Sequence, residues 1–300
     1  MTITLSRAAT SMNGPFPAIG AMTVDVEDYF QVQAFADIVP YESWGNFESR
    51  VEKNTEKILQ LFSDAGIKGT FFTLGWIGER HPRLVRQIVA EGHELASHGY
   101  RHVRADLQTQ AQFREDVSRT KRILEDTSGV GISGYRAATF SIGSRNSWAF
   151  DILDNVGYVY SSSTHPIKHD LYGEGTGARS AFSATRSGRL KEIPITTARL
   201  FGRNLPFAGG GYFRLLPYSV SRIAMRHVIR HDRRPVVFYL HPWELDYEQP
   251  RFANARIKSK LRHYMNLAAT ETRLKRLLRE FSWTRMDQAF SDIIQKKLGV

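Results

Sequence analysis

The sequence of 300 residues contains no cysteine. This absence excludes a disulfide framework, and a protein zinc site would have to use imidazole nitrogen and carboxylate oxygen as ligands. Long hydrophobic runs are also missing: no segment approaches the length of a membrane span, and residues 1–18 have no continuous apolar stretch. We therefore expect a loose tail at 1–18, no signal peptide, and a protein of the cytoplasm or of the periphery of the inner membrane.

Acidic residues are fewer than basic ones, 30 against 41, so the formal net charge is +11. Many of the basic residues lie near the carboxyl end: Arg251, Arg256, Lys258, Lys260, Arg262, Arg273, Lys275, Arg276 and Arg279. This segment is either the solvated face of a basic helix or a contact surface for an anionic partner, such as an acidic glycan or lipid headgroups at a membrane surface. Nucleic acid is disfavoured, because no aromatic and basic motif of a nucleic-acid-binding module is present.

The hydrophobic pattern alternates between strand and helix periodicity along most of the chain. We predict strands near 18–24, 70–74, 132–136 and 236–240, and helices near 51–65, 82–91, 109–126, 147–155 and 217–230. This alternation indicates an α/β fold with a mainly parallel sheet and helices outside it. We divide the chain into a tail at 1–18, an α/β barrel domain at 19–246 and a basic helical extension at 247–300.

Two histidines four residues apart, His98 and His102, are the first candidate metal ligands. Two imidazoles and one carboxylate, with a position open for water, form the ligand set of a hydrolytic zinc enzyme. Alone, the pair is equally compatible with a surface or core histidine pair. His93, on the same stretch, is expected to pack or to form a hydrogen bond at the start of a strand.

The carboxylates of Asp25, Glu27 and Asp28 crowd the end of the first predicted strand and require a positive partner, either a cation or an arginine. Arg136 follows a predicted strand and could clamp a carboxylate through two hydrogen bonds, or form an ordinary structural ion pair. His241 ends the most hydrophobic strand, where it could act as a general acid or be a satisfied core histidine.

Taken in order, these motifs resemble the polysaccharide deacetylases of the nodulation-protein type, carbohydrate esterase family four. The resemblance covers residues 19–246, and its most specific element is the Gly-His-Glu-x-x-x-His-x-x-x-His sequence at 92–102. The stretches at 24–30, 136–142 and 239–244, together with the helical carboxyl-terminal extension, are similar to the branch associated with exosortase and exopolysaccharide gene clusters.

The resemblance implies a distorted (β/α) barrel and a divalent metal, usually zinc, that serves in hydrolysis of N-acetyl groups from hexosamines of a polysaccharide. It implies that His98 and His102 bind the metal together with Glu27 or Asp28. By the same resemblance, Asp25 would be the general base and Arg136 its orienting partner. His241 would be the general acid, and a backbone N–H near Thr139 or Phe140 would bind the oxyanion.

The sequence departs from the family pattern at Ser161–Ser163, where many relatives have an aspartate that tunes the acid histidine. This departure leaves open what tunes His241 here. Two alternative functions also remain: a small-molecule amide hydrolase on the same fold, and a glycan-binding barrel without catalysis. The first would act on ureides or formyl groups, and the second would bind no zinc.

Overall fold

The structure is a computed structural model and describes residues 20–169, 173, 175 and 177–295. Within these residues the strands are β1 Gly20–Val26, β2 Thr70–Thr73, β3 Glu94–Ser97, β4 Gly134–Tyr135, β5 Tyr160–Ser161, β6 Phe182–Ser183, β7 Lys191–Glu192, β8 Thr197–Leu200, β9 Arg203–Pro206, β10 Val236–Leu240 and β11 Trp283–Thr284. The α-helices are α1 Val51–Asp64, α2 Gly75–Arg80, α3 Pro82–Ala90, α4 Gln110–Ser128, α5 Trp148–Val156, α6 Gly210–Leu215, α7 Tyr218–His227, α8 Ile257–Tyr264, α9 Leu267–Glu280, α10 Met286–Ala289 and α11 Ser291–Ile294.

One nine-stranded sheet organises the described chain, in the order β10-β1-β2-β3-β4-β5-β7-β6, with β11 pairing to β1. Its pairs are parallel except for β6 with β7, and β8 and β9 form a separate antiparallel hairpin. The central strands β1, β2 and β10 are buried on both faces, as parallel strands covered by helices must be. The predicted α/β class, a distorted barrel with a helical carboxyl-terminal region, is confirmed.

The predicted helices form where the sequence supplies their signals. Helix α4 begins with the capping box that Thr109 and Gln112 predict, and it ends at Gly129 in the left-handed conformation. Helix α1 buries Val51, Ile58 and other apolar residues at helical spacing against the sheet. These contacts fix the helices on the outside and leave the strand ends free to carry polar groups.

The predicted strand at 132–136 is shorter in the structure, where only Gly134–Tyr135 pairs with its neighbours. The hairpin of β8 and β9 and the short strands β5, β6, β7 and β11 had no counterpart in the sequence analysis. None of the described helices has the length and apolar character that a membrane crossing requires.

The carboxyl ends of four parallel strands bring the candidate residues to one edge of the sheet. Asp25 lies near the end of β1, and His98, Arg136 and His241 directly follow β3, β4 and β10. Because parallel strands point the same way, their ends converge on one surface, which is where α/β barrels carry their sites.

Candidate active site

Three side chains from two strand ends form a group that could hold a metal ion. Ligand atoms of Glu27, His98 and His102 all lie within 4.8 Å of one another, and all three residues are buried or nearly so. His102 adopts a left-handed backbone conformation with φ of 54°, which bends the chain so that its ring returns toward His98. The 5.2 Å separation of the two ring centroids reflects this bend.

The His98 ring is oriented by the backbone of the neighbouring strand end. Its Nδ1 lies 2.9 Å from the carbonyl oxygen of Arg136, so Nδ1–H donates there and Nε2 carries the lone pair. Burial lowers the pKa of His98 to about 4, an effect to which the nearby His102 adds. A neutral imidazole with one nitrogen donated to a carbonyl is the form in which histidine binds metals.

Glu27 is a buried carboxylate whose lowered pKa suits it to bind a cation. Burial opposes its ionisation, but the charges that His102, His241 and His98 carry when protonated outweigh burial and hold the pKa of Glu27 well below the usual range. Its Oε1 accepts a hydrogen bond of 3.1 Å from Nε1 of Trp243. Its Oε2 lies 3.0 Å from Nε2 of His102 but accepts no hydrogen bond among the described residues. One buried carboxylate and two imidazoles therefore fit a divalent cation.

Asp28, the alternative ligand in the sequence analysis, lies outside this group. Its Oδ2 accepts hydrogen bonds from Oγ of Ser49 and from the backbone N–H groups of Arg50 and Val51. Its Oδ1 accepts another from the N–H of Tyr29. Since the N–H groups of Arg50 and Val51 are the first of helix α1, Asp28 caps that helix. The geometry therefore favours Glu27 as the carboxylate ligand.

Asp25 forms a buried ion pair with Arg136. Nη1 of Arg136 donates to Oδ1 of Asp25 over 2.5 Å and to Oγ1 of Thr23 over 2.8 Å. The guanidinium is fully buried and lies over the ring of Phe72 at 4.0 Å. The enclosed guanidinium binds Oδ1 and so holds Asp25 in one orientation. Oδ2 then faces the cavity, on the side of His241.

Two serines of the Ser161–Ser163 run stabilise this ion pair and the loop that carries Arg136. The carbonyl and hydroxyl of Ser162 each accept a hydrogen bond of 3.2 Å from the guanidinium. Oγ of Ser163 accepts the N–H of Ala137 over 2.9 Å. These serines therefore position Arg136 and its loop, and they do not contact His241 through any hydrogen bond shown in the described residues.

His241 faces the same cavity from the end of β10. Its Nδ1 lies 2.8 Å from Oε1 of Glu244, while Nε2 lies 3.5 Å from Oε1 of Glu27 and 4.0 Å from Oδ2 of Asp25. Burial lowers its pKa, but the hydrogen bond to Glu244 and the charges of Glu27, Glu244 and Asp25 outweigh burial and raise the pKa to about 9. In this arrangement His241 holds a proton that it can donate.

The loop after Arg136 carries two consecutive residues in the left-handed conformation, Thr139 with φ of 57° and Phe140 with φ of 48°. That conformation is costly for a β-branched residue, and such strain clusters at functional sites. The N–H of Phe140 donates to the carbonyl of Ala137 over 3.0 Å. Of the two candidate oxyanion donors, Thr139 is therefore the better one.

His93 is a structural residue, as predicted. Its Nδ1 accepts the N–H of Gly69 over 3.0 Å, and its ring contacts the rings of Phe62 and Phe71. Burial lowers its pKa to about 4, so the ring is neutral near pH 7. The packing removes it from the metal-ligand set.

These groups surround one cavity of about 340 Å³. Its lining comprises Asp25, Glu27, Val32, Gln33, Ala34, His98, His102, Thr139, Phe140, His169, Gly211, Tyr212, Arg214, Leu215, Tyr239, His241, Trp243, Glu244, Arg262 and His263. The volume suits a small ligand group, and aromatic walls with a few converging polar atoms are typical of a binding site. Helices α6 and α8 form part of the wall, so the carboxyl-terminal residues shape the site.

Sequence reasoning assigned no function to Trp243, Glu244 or Arg214. Trp243 and Glu244 follow His241 closely in the chain, and that proximity was the available signal. No sequence signal pointed to Arg214, because its contact with the site depends on the packing of α6 against α8.

Comparison with known proteins divides the chain into two matched parts. The family model described as polysaccharide deacetylase matches residues 42–161, and the model of a domain of unknown function, DUF3473, matches 162–291. A peptidoglycan-N-acetylglucosamine deacetylase of Bacillus cereus is 33% identical over 75 residues, 25% of this chain and 27% of that protein. A chitooligosaccharide deacetylase of Sinorhizobium fredii is 31% identical over 100 residues, 33% of this chain and 44% of that protein. The chain thus spans less than half the length of both relatives.

Two solved structures share the fold over nearly the whole chain. A Mycobacterium smegmatis protein named a "putative polysaccharide deacetylase" has a TM-score of 0.60 at 18% identity, covering 95% of this chain and 94% of that one. The PuuE allantoinase has a TM-score of 0.58 at 17% identity, covering 98% and 97%. These similarities establish the architecture, and the chemistry follows from the site.

Proposed function

We propose that this protein, whose residues 42–161 belong to the polysaccharide deacetylase family, is a metal-dependent hydrolase that removes N-acetyl groups from hexosamine units of a polysaccharide. The observation that carries the proposal is the convergence of Glu27, His98 and His102 with the Asp25–Arg136 pair and His241 around one cavity. These groups are the parts that metal-assisted amide hydrolysis requires.

We assign the metal to Glu27, His98 and His102, and zinc is the ion that best suits two imidazoles and one carboxylate in a chain without cysteine. A bound divalent ion would polarise the attacking water and the amide carbonyl. Asp25 accepts the proton of that water through Oδ2, because Oδ1 is held by Arg136. The ion pair fixes the orientation of the carboxylate at the cavity.

We assign the later steps to Thr139 and His241, which also line the cavity. We assign the N–H of Thr139, which lines the cavity, as the donor to the oxygen that becomes negative as water adds to the carbonyl. His241 donates the proton on Nε2 to the departing sugar amine, since an amine leaves readily only when it is protonated. The products are acetate and a free amino group on the sugar.

N-acetylglucosamine units are the substrate class that the similarities favour. The matched relatives act, by name, on N-acetylglucosamine of peptidoglycan and on chitooligosaccharides. The aromatic side chains of Phe140, Tyr212 and Tyr239 line the cavity and offer apolar surface to a sugar ring. We further propose that the reaction belongs to exopolysaccharide biosynthesis, with the polymer as partner, because the motifs resemble those of the exopolysaccharide-associated branch.

The decisive test measures acetate release from N-acetylchitooligosaccharides by protein stripped with a chelator and then reloaded with zinc. We expect release only after reloading, and neither zinc binding nor release from His98→Ala. His231→Ala is the matched control, because His231 is exposed and lies away from the cavity, and it should behave as the wild type. Equal acetate release by stripped His98→Ala protein would overturn the proposal, and turnover of allantoin or formamides in place of glycans would favour a small-molecule amide hydrolase.

A further inference from the structure

The buried carboxylate of Glu244 forms a hydrogen bond with Nδ1 of the His241 ring. Glu244 lies three residues after it, in the 3-10 turn Pro242–Leu245, and its side chain is 1% exposed. Its Oε1 lies 2.8 Å from Nδ1 of His241, so the ring donates Nδ1–H to Glu244. This hydrogen bond turns Nε2 toward the cavity, where it lies 3.5 Å from Glu27.

Glu244 is itself stabilised by Arg214 of helix α6. Nε of Arg214 lies 3.7 Å from Oε1 of Glu244, and both side chains are almost fully buried. The remaining guanidinium nitrogens donate to the carbonyl oxygens of Arg262, His263 and Met265 at the carboxyl end of helix α8. A buried carboxylate without a positive partner would be strongly unfavourable, and Arg214 supplies such a partner to Glu244 beside His241.

Aromatic stacking also restricts the orientation of the His241 ring. Trp243 stacks on His241 with ring centroids 5.1 Å apart and an interplanar angle of 21°. The same indole also stacks on His263, with ring centroids 4.1 Å apart. The ring is therefore restrained both by the hydrogen bond at Nδ1 and by stacking, and only Nε2 remains directed at a reacting group.

We infer that Glu244 is the positioning residue of His241, and that Arg214 fixes Glu244 by binding the carbonyl groups at the end of α8. The inference rests on the proposed function, because it requires His241 to be the proton donor. Glu244 holds the proton on Nδ1 and so selects the orientation in which Nε2–H faces the leaving amine. Charge and proton count are unchanged at Glu244 through the step, since it only accepts a hydrogen bond.

This arrangement has a kinetic signature that a merely structural carboxylate lacks. A sugar amine must be protonated to leave, whereas p-nitrophenolate leaves without a proton donor. A defect in His241 should therefore slow amide cleavage by about 10²–10⁴-fold and leave cleavage of p-nitrophenyl acetate largely intact. Loss of Glu244 should show the same selectivity, with the defect in kcat and little change in KM, because the amide is bound by other groups.

The experiment compares Glu244→Ala, Glu244→Gln, His241→Ala and the double variant on both substrates, with zinc content and circular dichroism matched to the wild type. We expect Glu244→Ala to lower kcat for the N-acetylated oligosaccharide by about 10-fold or more and to retain ester cleavage. Glu244→Gln keeps an acceptor for Nδ1–H and should recover part of the loss. In the His241→Ala background, Glu244→Ala should cause little further loss, because coupled groups are not additive.

Two results would overturn the inference. Unchanged amide turnover in Glu244→Ala is one, and equal losses on amide and ester that persist in the His241→Ala background are the other. Should Glu244→Ala fail to fold, Glu244→Gln is compared on the same two substrates. It preserves shape while removing the charge, so we expect a smaller loss that is still confined to the amide, and unchanged amide turnover would then overturn the inference. A wild-type protein that cleaves the ester but releases no acetate from any N-acetylated glycan would instead contradict the proposed function.

Discussion

Adjacent carboxylates at the end of β1 take different positions because the chain turns between them. Glu27 lies with His98 and His102 at the cavity, while Asp28 caps helix α1 by accepting hydrogen bonds from the N–H groups of Arg50 and Val51. The sequence analysis left both open as ligands, since two neighbouring acidic residues carry the same chemistry. The difference is set by helix α1, whose N-cap residue Arg50 provides no side-chain cap, so that its amide groups need an acceptor from elsewhere.

Isosteric variants of the two residues should therefore separate metal binding from stability. In Glu27→Gln we expect the zinc affinity to fall by more than about 100-fold, because loss of a ligand exceeds the about 10–100-fold effect of losing a ligand's hydrogen-bond partner. In Asp28→Asn we expect nearly normal zinc affinity and a loss of about 1–2 kcal/mol in the free energy of unfolding, since an amide nitrogen replaces one acceptor. Calorimetric zinc titration and urea unfolding measure these two quantities, and the reversed pattern would identify Asp28 as the ligand.

The positions of Asp25, His98, Arg136 and His241 could be predicted because each follows an apolar run, and the ends of parallel strands meet. The link from His241 to Glu244 and Arg214 could not be predicted. Arg214 reaches Glu244 only because α6 packs beside α8, and no local pattern encodes that contact. The departure at Ser161–Ser163 raised the question of what tunes His241, and in the structure the carboxylate at its Nδ1 comes from Glu244.

At the scale of the elements, strand β3 begins with a partly buried acid, Glu94, that joins it to the carboxyl-terminal segment. Glu94 accepts hydrogen bonds from the hydroxyls of Thr70 and Tyr160 and from the N–H of Asp287 in helix α10. Burial, with the charge of Asp287, raises the pKa of Glu94 to about 7. The folded protein therefore keeps a proton on Glu94 at pH values where the unfolded chain has lost it.

This shift gives the protein a defined pH dependence of stability. As pH rises from about 4.5 to about 7, the unfolded chain releases the Glu94 proton and the folded protein does not, so the contribution of Glu94 to stability declines across that window and is constant above it. Glu94→Gln should remove this slope and exceed the wild type by on the order of 2 kcal/mol at pH 8. Its amide can donate to Tyr160 and still accept from Thr70. Unfolding curves at pH 5 and pH 8 measure the difference, and parallel pH profiles for the two proteins would contradict it.

Long periodic helices and the apolar strand β10 were predictable, since each contains its own start, face and end signals. The two-residue strands β5, β6, β7 and β11 were not, because a strand of that length is defined by its partner rather than by its own residues. The hairpin of β8 and β9 was missed for a related reason. Its residues at 199–200 and 203–206 are partly exposed. The hairpin therefore lacks the continuous buried apolar face by which a half-buried strand is predicted.

At the scale of the whole molecule, the carboxyl-terminal residues complete the core beneath the site. Strand β11 pairs in parallel with the first residues of β1, and a Cβ on Gly20 would come within 2.6 Å of the Trp283 ring. Trp283 also contacts the ring of Phe238 in β10, and Leu277 of helix α9 belongs to the same cluster. Glycine at position 20 is therefore what lets this tryptophan lie directly on the strand that carries Asp25 and Glu27.

Because β1 is the strand shared by the site and by the Trp283 contact, the described barrel and its carboxyl-terminal helices should unfold together. Trp283→Ala removes a large buried side chain and should lower the free energy of unfolding by about 3–5 kcal/mol. We expect far-ultraviolet circular dichroism and the fluorescence of the remaining tryptophans to shift to one lower denaturant midpoint. Ile257→Ala, at an exposed position in helix α8, is the control and should change stability by less than about 0.5 kcal/mol. A variant in which helical signal disappears at low denaturant, while fluorescence keeps the wild-type midpoint, would show that the carboxyl-terminal segment unfolds by itself.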